Sequence, residues 1–144
     1  MIDKAKCEHW EHFPHKADIG IRGAGATEEQ AFEQAAVALT AVITEPEKVA
    51  SERKVEIACQ ADDDELLLAD WLNSLLYEMA TRKMLFSRFE VRIEGNHLNG
   101  TAWGEKLDVS KHSPTTEVKA ATYAELSVRQ DQDGTWIAQC VVDV

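Results

Sequence analysis

The alternation of apolar and polar residues changes period several times along the chain, and each change marks an element. Residues 8–26 read as extended, because Pro14 biases Phe13 away from helix and Ala17, Ile19 and Ile21 alternate with Asp18, Gly20 and Arg22. A period of two is that of a half-buried strand. Gly23 and Gly25 then mark an expected turn. The period lengthens at "TEEQ". Thr27 is a capping candidate with Gln30 three residues on, and Phe32, Ala35, Ala36, Leu39, Val42 and Ile43 recur at helical spacing, with Pro46 just beyond. "RKVEIACQ" returns to a period of two, with Val55, Ile57 and Cys59 on one face. The run Asp62–Glu65 opens a second helix whose apolar stripe is Leu68, Trp71, Leu72, Leu75, Leu76 and Met79. Glu78 and Arg82 are spaced for an ion pair along it.

Beyond residue 84 the chain reads as strands. Phe89, Val91 and Ile93 alternate with charged residues, "EGN" makes a turn, and "HLNGTAWGEKLD" is a strand interrupted by glycines. "VSKHSPTTE" is looser. "VKAATYAELSV" reads as one long strand, "DQDG" as a hairpin turn and "TWIAQCVVDV" as the last strand. The predicted order is ββαβαββββ. It describes one α+β domain over residues 1–144, with two helices covering one face of a mostly antiparallel sheet.

Composition narrows the setting. The chain has 144 residues, 44% hydrophobic and 28% charged, as expected of a globular protein. It has no apolar run long enough to span a membrane, and its first residues lack the apolar core of a signal peptide. A cytoplasmic location is expected. The net charge of −11 disfavours direct nucleic-acid binding, since phosphates repel such a surface, and suits a basic protein partner or a bound cation. Cys7, Cys59 and Cys140 form no CxxC pair and read as reduced thiols.

Candidate chemistry is sparse. His9, His12 and His15 lie three apart, but on a strand His12 faces away from the other two, so a strand edge is preferred over a zinc site. The acidic run Asp62–Glu65 lacks the spacing of a calcium loop and reads as helix capping. "GIRGAG" lacks the lysine of a phosphate-binding loop, and no hydrolase, zinc-protease or dinucleotide fingerprint occurs. Asp18 and Asp143 each sit in an apolar strand, where an unpartnered buried carboxylate is costly. Either side chain can point to solvent. If the first and last strands were neighbours, the two carboxylates, with the terminal carboxylate of Val144 or backbone oxygens, would suit calcium, magnesium or manganese. Periodicity leaves that adjacency open.

The segments "HKADIGIRG", "ATEEQAFEQAAVALTAVI", "ELLLADWLNSLLYEM", "GEKLDVSKHSPTTEVKAATYAELSV" and "WIAQCVVDV", in this order and spacing, resemble the archease family along nearly the whole chain. The resemblance implies a non-catalytic helper of the RtcB-type RNA ligase. That ligase guanylylates its own histidine with GTP and a divalent metal. It then joins 2′,3′-cyclic phosphate or 3′-phosphate RNA ends to a 5′-hydroxyl in tRNA splicing and RNA repair. The helper promotes guanylylation and multiple turnover and relaxes the ligase's nucleotide choice. The resemblance also implies a divalent-cation site at Asp18, Asp143 and an oxygen of Val144, with Lys119 in "EVKAATY" as a further activity residue. Without the resemblance Lys119 is a solvated sheet lysine. Two departures stand out: Lys16 where the family usually has threonine, and Ala124 where histidine is common. The competing readings are a small metal-dependent hydrolase and a chaperone-like modulator of nucleic-acid-processing enzymes.

Overall fold

A computed structural model describes residues 8–144 of the chain; Cys7 lies outside the described residues. The hairpin of β1 (His9–His15) and β2 (Asp18–Gly25) opens the fold. It is followed by α1 (Glu28–Ile43), a 3-10 turn (Pro46–Lys48), β3 (Arg53–Gln60), α2 (Asp64–Arg82), β4 (Met84–Glu94) and β5 (His97–Lys106). A short α3 (Val109–His112) and the strands β6 (Ala120–Ala121), β7 (Ser127–Gln130) and β8 (Trp136–Asp143) complete it. The α+β class and the alternation of strands and helices are as the sequence pattern predicts.

The strands divide between two antiparallel sheets instead of forming one. A five-stranded sheet runs β1-β2-β8-β6, with β7 also paired to β8, and a three-stranded sheet runs β3-β5-β4. The helix α1 packs on β2, β8 and β4 and so bridges the sheets, while α2 lies on the three-stranded sheet and reaches β6 and β7.

Both helices start as their sequences specify. The Thr27 hydroxyl accepts from the N–H of Gln30 at 3.1 Å, and the Gln30 side chain accepts from the N–H of Ala26 at 2.8 Å. Asp63 accepts from the N–H of Leu66 at 2.8 Å, which identifies one member of the acidic run as a cap. A cap of this kind contributes about 1 kcal/mol. The Glu78–Arg82 pair also forms, on an exposed face where it contributes about 0.3–0.5 kcal/mol. The predicted stripes are buried, apart from Ile43 and Leu76, which are half-buried. Trp71 is 0% exposed, donates from Nε1 to the Phe32 carbonyl at 3.2 Å, and meets Phe89 edge to face with ring centroids 6.2 Å apart.

Gly23 and Gly25 do not form the expected turn; they lie within β2. A Cβ on Gly23 would sit 2.2 Å from the backbone nitrogen of Ala35, so the glycine exists to let α1 rest directly on the strand. Gly100 plays the same part for Trp71, whose ring lies 2.4 Å from where a Cβ would be.

The expected long strand over "VKAATYAELSV" is two short strands separated by a turn. The Leu126 N–H donates to the Tyr123 carbonyl at 3.2 Å, and Glu125 adopts φ 54. The Gln139 side chain donates to the Glu125 carbonyl at 3.1 Å and holds that residue in place. This turn uses no glycine or proline, so composition gives no sign of it. The stretch read as loose contains the turn of α3, capped by Asp108. Among the described residues no helix is long and apolar enough to cross a membrane.

Candidate functional site

The strand that begins at Asp18, β2, and the last strand, β8, are neighbours. Ile19 of β2 is paired with Val142 of β8, so one step outward along the same register Asp18 comes opposite Asp143. The row extends on both sides, because His15 is paired with Asp18 and Ala120 with Asp143. The N–H of Lys119 donates to the Asp143 carbonyl at 2.8 Å. Asp18, Asp143 and Val144 are half-buried, and Lys119 is exposed while Val118 packs against the core. Residues from three distant parts of the chain, Asp18, Lys119 and Asp143 with Val144, therefore collect at one end of the five-stranded sheet.

The donors at this end are hard oxygens: two carboxylates and the oxygens of Val144. That chemistry fits calcium, magnesium or manganese and does not fit a thiophilic metal. Among the described residues no three or more His, Cys, Asp or Glu side chains come together as a metal cluster. The Cys140 thiol is fully buried and burial pushes it up to about 12, so it is neither ligand nor nucleophile at neutral pH.

The histidines separate as a strand requires. His12 Nε2 lies 2.8 Å from the Ala38 carbonyl and pins β1 to α1. His9 and His15 occupy the opposite face of the strand. The buried Nδ1 of His15 has no hydrogen-bond partner.

Four residues along β2 from Asp18, a polar ladder crosses the sheet. Arg22 donates to Gln139 Oε1 and to Glu11 Oε1, both at 2.8 Å, and its guanidinium stacks 4.6 Å from the centre of the Phe13 ring. Phe13 in turn covers Gly20. The hairpin joining β1 to β2 turns at Lys16, which adopts φ 53.

A second charged cluster escaped the sequence pattern. Glu105 is 7% exposed and accepts from the N–H of Ala50 at 2.8 Å, from Lys111 at 2.6 Å and from His112 at 3.0 Å. These donors hold its carboxyl down at about 2, the Ala50 N–H foremost. The Asp108 N–H donates to Nδ1 of the fully buried His112 at 2.9 Å, so the Nε2 hydrogen is the one given to Glu105. The cluster anchors α3, from which the chain runs toward Lys119. The spacing of Asp108 and His112 across one helical turn was its only sequence signal.

Elsewhere, two carboxyls are pushed upward. Burial, then the hydrogen bond and charge of Asp64, raise Glu28 to about 8. Burial raises Glu33 to about 7 against the opposing effect of the Val91 N–H, which donates to it at 2.8 Å.

Residues 10–144 match the Archease protein family (MTH1598/TM1083). The chain belongs to the archease family. It is 44% identical over 139 residues to the protein archease of Pyrococcus furiosus, covering 94% of this chain and 98% of that protein. It is 43% identical over 137 residues to the archease of Sulfolobus acidocaldarius, again covering 94% and 98%. The solution structure of protein 1598 of Methanobacterium thermoautotrophicum superposes with a TM-score of 0.81 at 34% identity, covering 94% of this chain and 98% of that one. The crystal structure of an archease, possible chaperone, from Thermotoga maritima has a TM-score of 0.58 at 21% identity over 93% and 96%, a likeness of fold alone.

Proposed function

We propose that this chain is a non-catalytic helper of an RtcB-type RNA ligase in the cytoplasm, promoting guanylylation of the ligase and its repeated turnover in tRNA splicing or RNA repair. Membership of the archease family supports a helper, and the Thermotoga maritima archease is described as a possible chaperone. The observation that carries the reading is the β2–β8 register, which sets Asp18 and Asp143 side by side with Lys119 bonded to the Asp143 backbone.

In this reading Asp18, Asp143 and an oxygen of Val144 hold a divalent cation, with calcium, manganese and magnesium all suited to the donor set. When bound, such a cation supplies concentrated positive charge to an otherwise acidic end. Asp18 and Asp143 are held half-buried on adjacent strands, so little rotamer freedom is left to lose on binding. The exposed Lys119 presents an ammonium beside them for contact with the ligase. The net charge of −11 steers the helper toward the basic RNA channel of its partner and keeps it off RNA itself.

An enzyme reading needs an activated nucleophile. Cys140 on β8 is buried and protonated, and His15, the histidine of this row, has no hydrogen-bond partner at Nδ1, so no nucleophile is paired with a base there. The test is a three-arm assay with GTP and defined RNA ends: this chain alone, the ligase alone, and both. Joining that accelerates only in the third arm supports the helper. RNA processing by the chain alone would replace it with the hydrolase. No acceleration would overturn the ligase assignment.

A further inference from the structure

The ladder between β6 and β8 contains one residue too many. Lys119 donates to the Asp143 carbonyl at 2.8 Å and Thr122 to the Val141 carbonyl at 2.9 Å. The donors are three residues apart and the acceptors two. An antiparallel ladder advances by two on both strands, and Ala120 and Ala121 are paired one to one with Asp143 and Val142, so the extra residue is Lys119, which shares Asp143 with Ala120 in a bulge at the entry to β6. With the Thr122 N–H bonded to β8, the alternation of the strand turns the N–H and carbonyl of Ala121 away from β8, on the open side of this edge strand. There the N–H donates to Asn73 Oδ1 at 2.9 Å, and the Ala121 carbonyl accepts from Asn73 Nδ2 at 3.1 Å. One carboxamide from α2 therefore satisfies both backbone groups that the edge leaves without a strand partner.

The chemistry selects the residue. Ala121 is buried, so its polar groups cost free energy if left unpaired. Only a primary carboxamide offers a donor and an acceptor side by side, as a neighbouring strand would. An aspartate accepts but cannot donate, and the extra methylene of glutamine would overreach. Asn73 itself lies on the exposed flank of α2, outside the apolar stripe, and core packing does not account for it.

We propose that Asn73 is a positioning residue: its carboxamide clamps β6 at Ala121 and thereby holds the adjoining bulge that sets Lys119 against Asp143. The proposal rests on the reading of Asp18, Asp143 and Lys119 as the working end of the molecule. Bulges re-aim the side chains they carry, and Lys119 is one of the two residues of this one. Loss of the clamp frees the segment carrying Lys119 to slide to a regular register, in which Lys119 no longer pairs with the Asp143 backbone.

The test compares full-length wild type, Asn73→Ala, Asn73→Asp and, as a control, Val55→Ala, which removes core volume from the other sheet. Three quantities are read: amide hydrogen exchange at Lys119 and Ala121, calorimetric titration with calcium chloride, and stimulation of ligase guanylylation. Both Asn73 variants should fold, exchange faster at the two amides and bind calcium about tenfold more weakly. Val55→Ala should melt lower yet keep calcium affinity within about twofold, since distant sites act independently. Wild-type exchange and affinity in Asn73→Ala would overturn the proposal, as would an equal loss of affinity in Val55→Ala. If wild type binds no calcium, the cation reading falls on its own. The positioning role is then decided by exchange at Lys119: faster in Asn73→Ala upholds it, and unchanged overturns it.

Discussion

The backbone N–H of Lys119 donates to the carbonyl of Asp143 at 2.8 Å. That bond ties the segment entering β6 to the last residue of β8, while the pairing of Ile19 with Val142 brings Asp18 to the same end. Three residues drawn from three distant parts of the chain thus share one end of one sheet. Tertiary pairing alone brings them together, and the functional account depends on it.

Lys16 bears on that end from the hairpin turn. Its φ of 53 is a left-handed conformation that costs a lysine about 1 kcal/mol, and its ammonium is two residues from Asp18. Lys16→Asn should raise the melting temperature by a few degrees, because asparagine tolerates that conformation better. It should also tighten calcium binding by removing a nearby positive charge. Unchanged calcium affinity beside a raised melting temperature would show that the Lys16 charge does not reach the carboxylates.

Glu33 gives stability a slope on the alkaline side of its ordinary range. Its folded pKa of about 7 lies above the ordinary 4.5, so the unfolded chain releases this proton first as pH rises. Its contribution is complete below 4.5 and lost by about 7. Glu33→Gln keeps an acceptor for the Val91 N–H and removes the ionisation. The variant should be more stable than wild type at pH 8 by about 1 kcal/mol, a figure reduced for solvent screening. At pH 4 the two should unfold at the same urea concentration, and a constant gap at both values would contradict the assignment.

Glu105 acts in the opposite direction. Its folded pKa of about 2 lies below 4.5, so its stabilisation is complete above 4.5 and disappears as pH falls toward 2. Glu105→Gln should melt well below wild type at pH 7, because Lys111 and His112 lose their carboxylate. The gap should narrow steadily between pH 4.5 and 2. A gap independent of pH would mean that packing, and not charge, carries the cluster.

Much of the architecture was legible because local signals agreed. The caps at Thr27 and Asp63, the two apolar stripes and the alternation of Val55, Ile57 and Cys59 each reflect a single element and its period. Other features depend on contacts that no period encodes. The glycines of β2 read as a turn because their purpose, close approach of α1, is a tertiary one. The break between β6 and β7 is made by Glu125 at a positive φ and held by Gln139, residues that carry no turn signature. The division into two sheets follows from strand partners chosen across the whole chain. Asp18 and Asp143 were legible as odd carboxylates in apolar strands, but their proximity was not. Asn73 was hidden for a related reason: a lone polar residue on a helix flank looks solvated until its backbone partner is known.

Association with the ligase should depend on salt if the acidic surface steers it. The Debye length is about 10 Å at 0.1 M ionic strength and shortens as salt rises, so long-range attraction fades. Stopped-flow mixing should show an association rate that falls severalfold across a salt series, with a dissociation rate that changes less. A flat series would indicate that docking is driven by apolar contact.

Asp143→Asn is the most direct test of the central claim, because it keeps the size of the side chain and the backbone bond from Lys119 while removing one negative charge. Thermal melts are run beside a guanylylation time course with the helper limiting over excess ligase, and Val142→Ala serves as a control that trims the core without touching charge. The account predicts that Asp143→Asn melts within about 0.5 kcal/mol of wild type yet fails to accelerate guanylylation, whereas Val142→Ala melts lower and still accelerates it. A wild-type time course from Asp143→Asn would contradict the account.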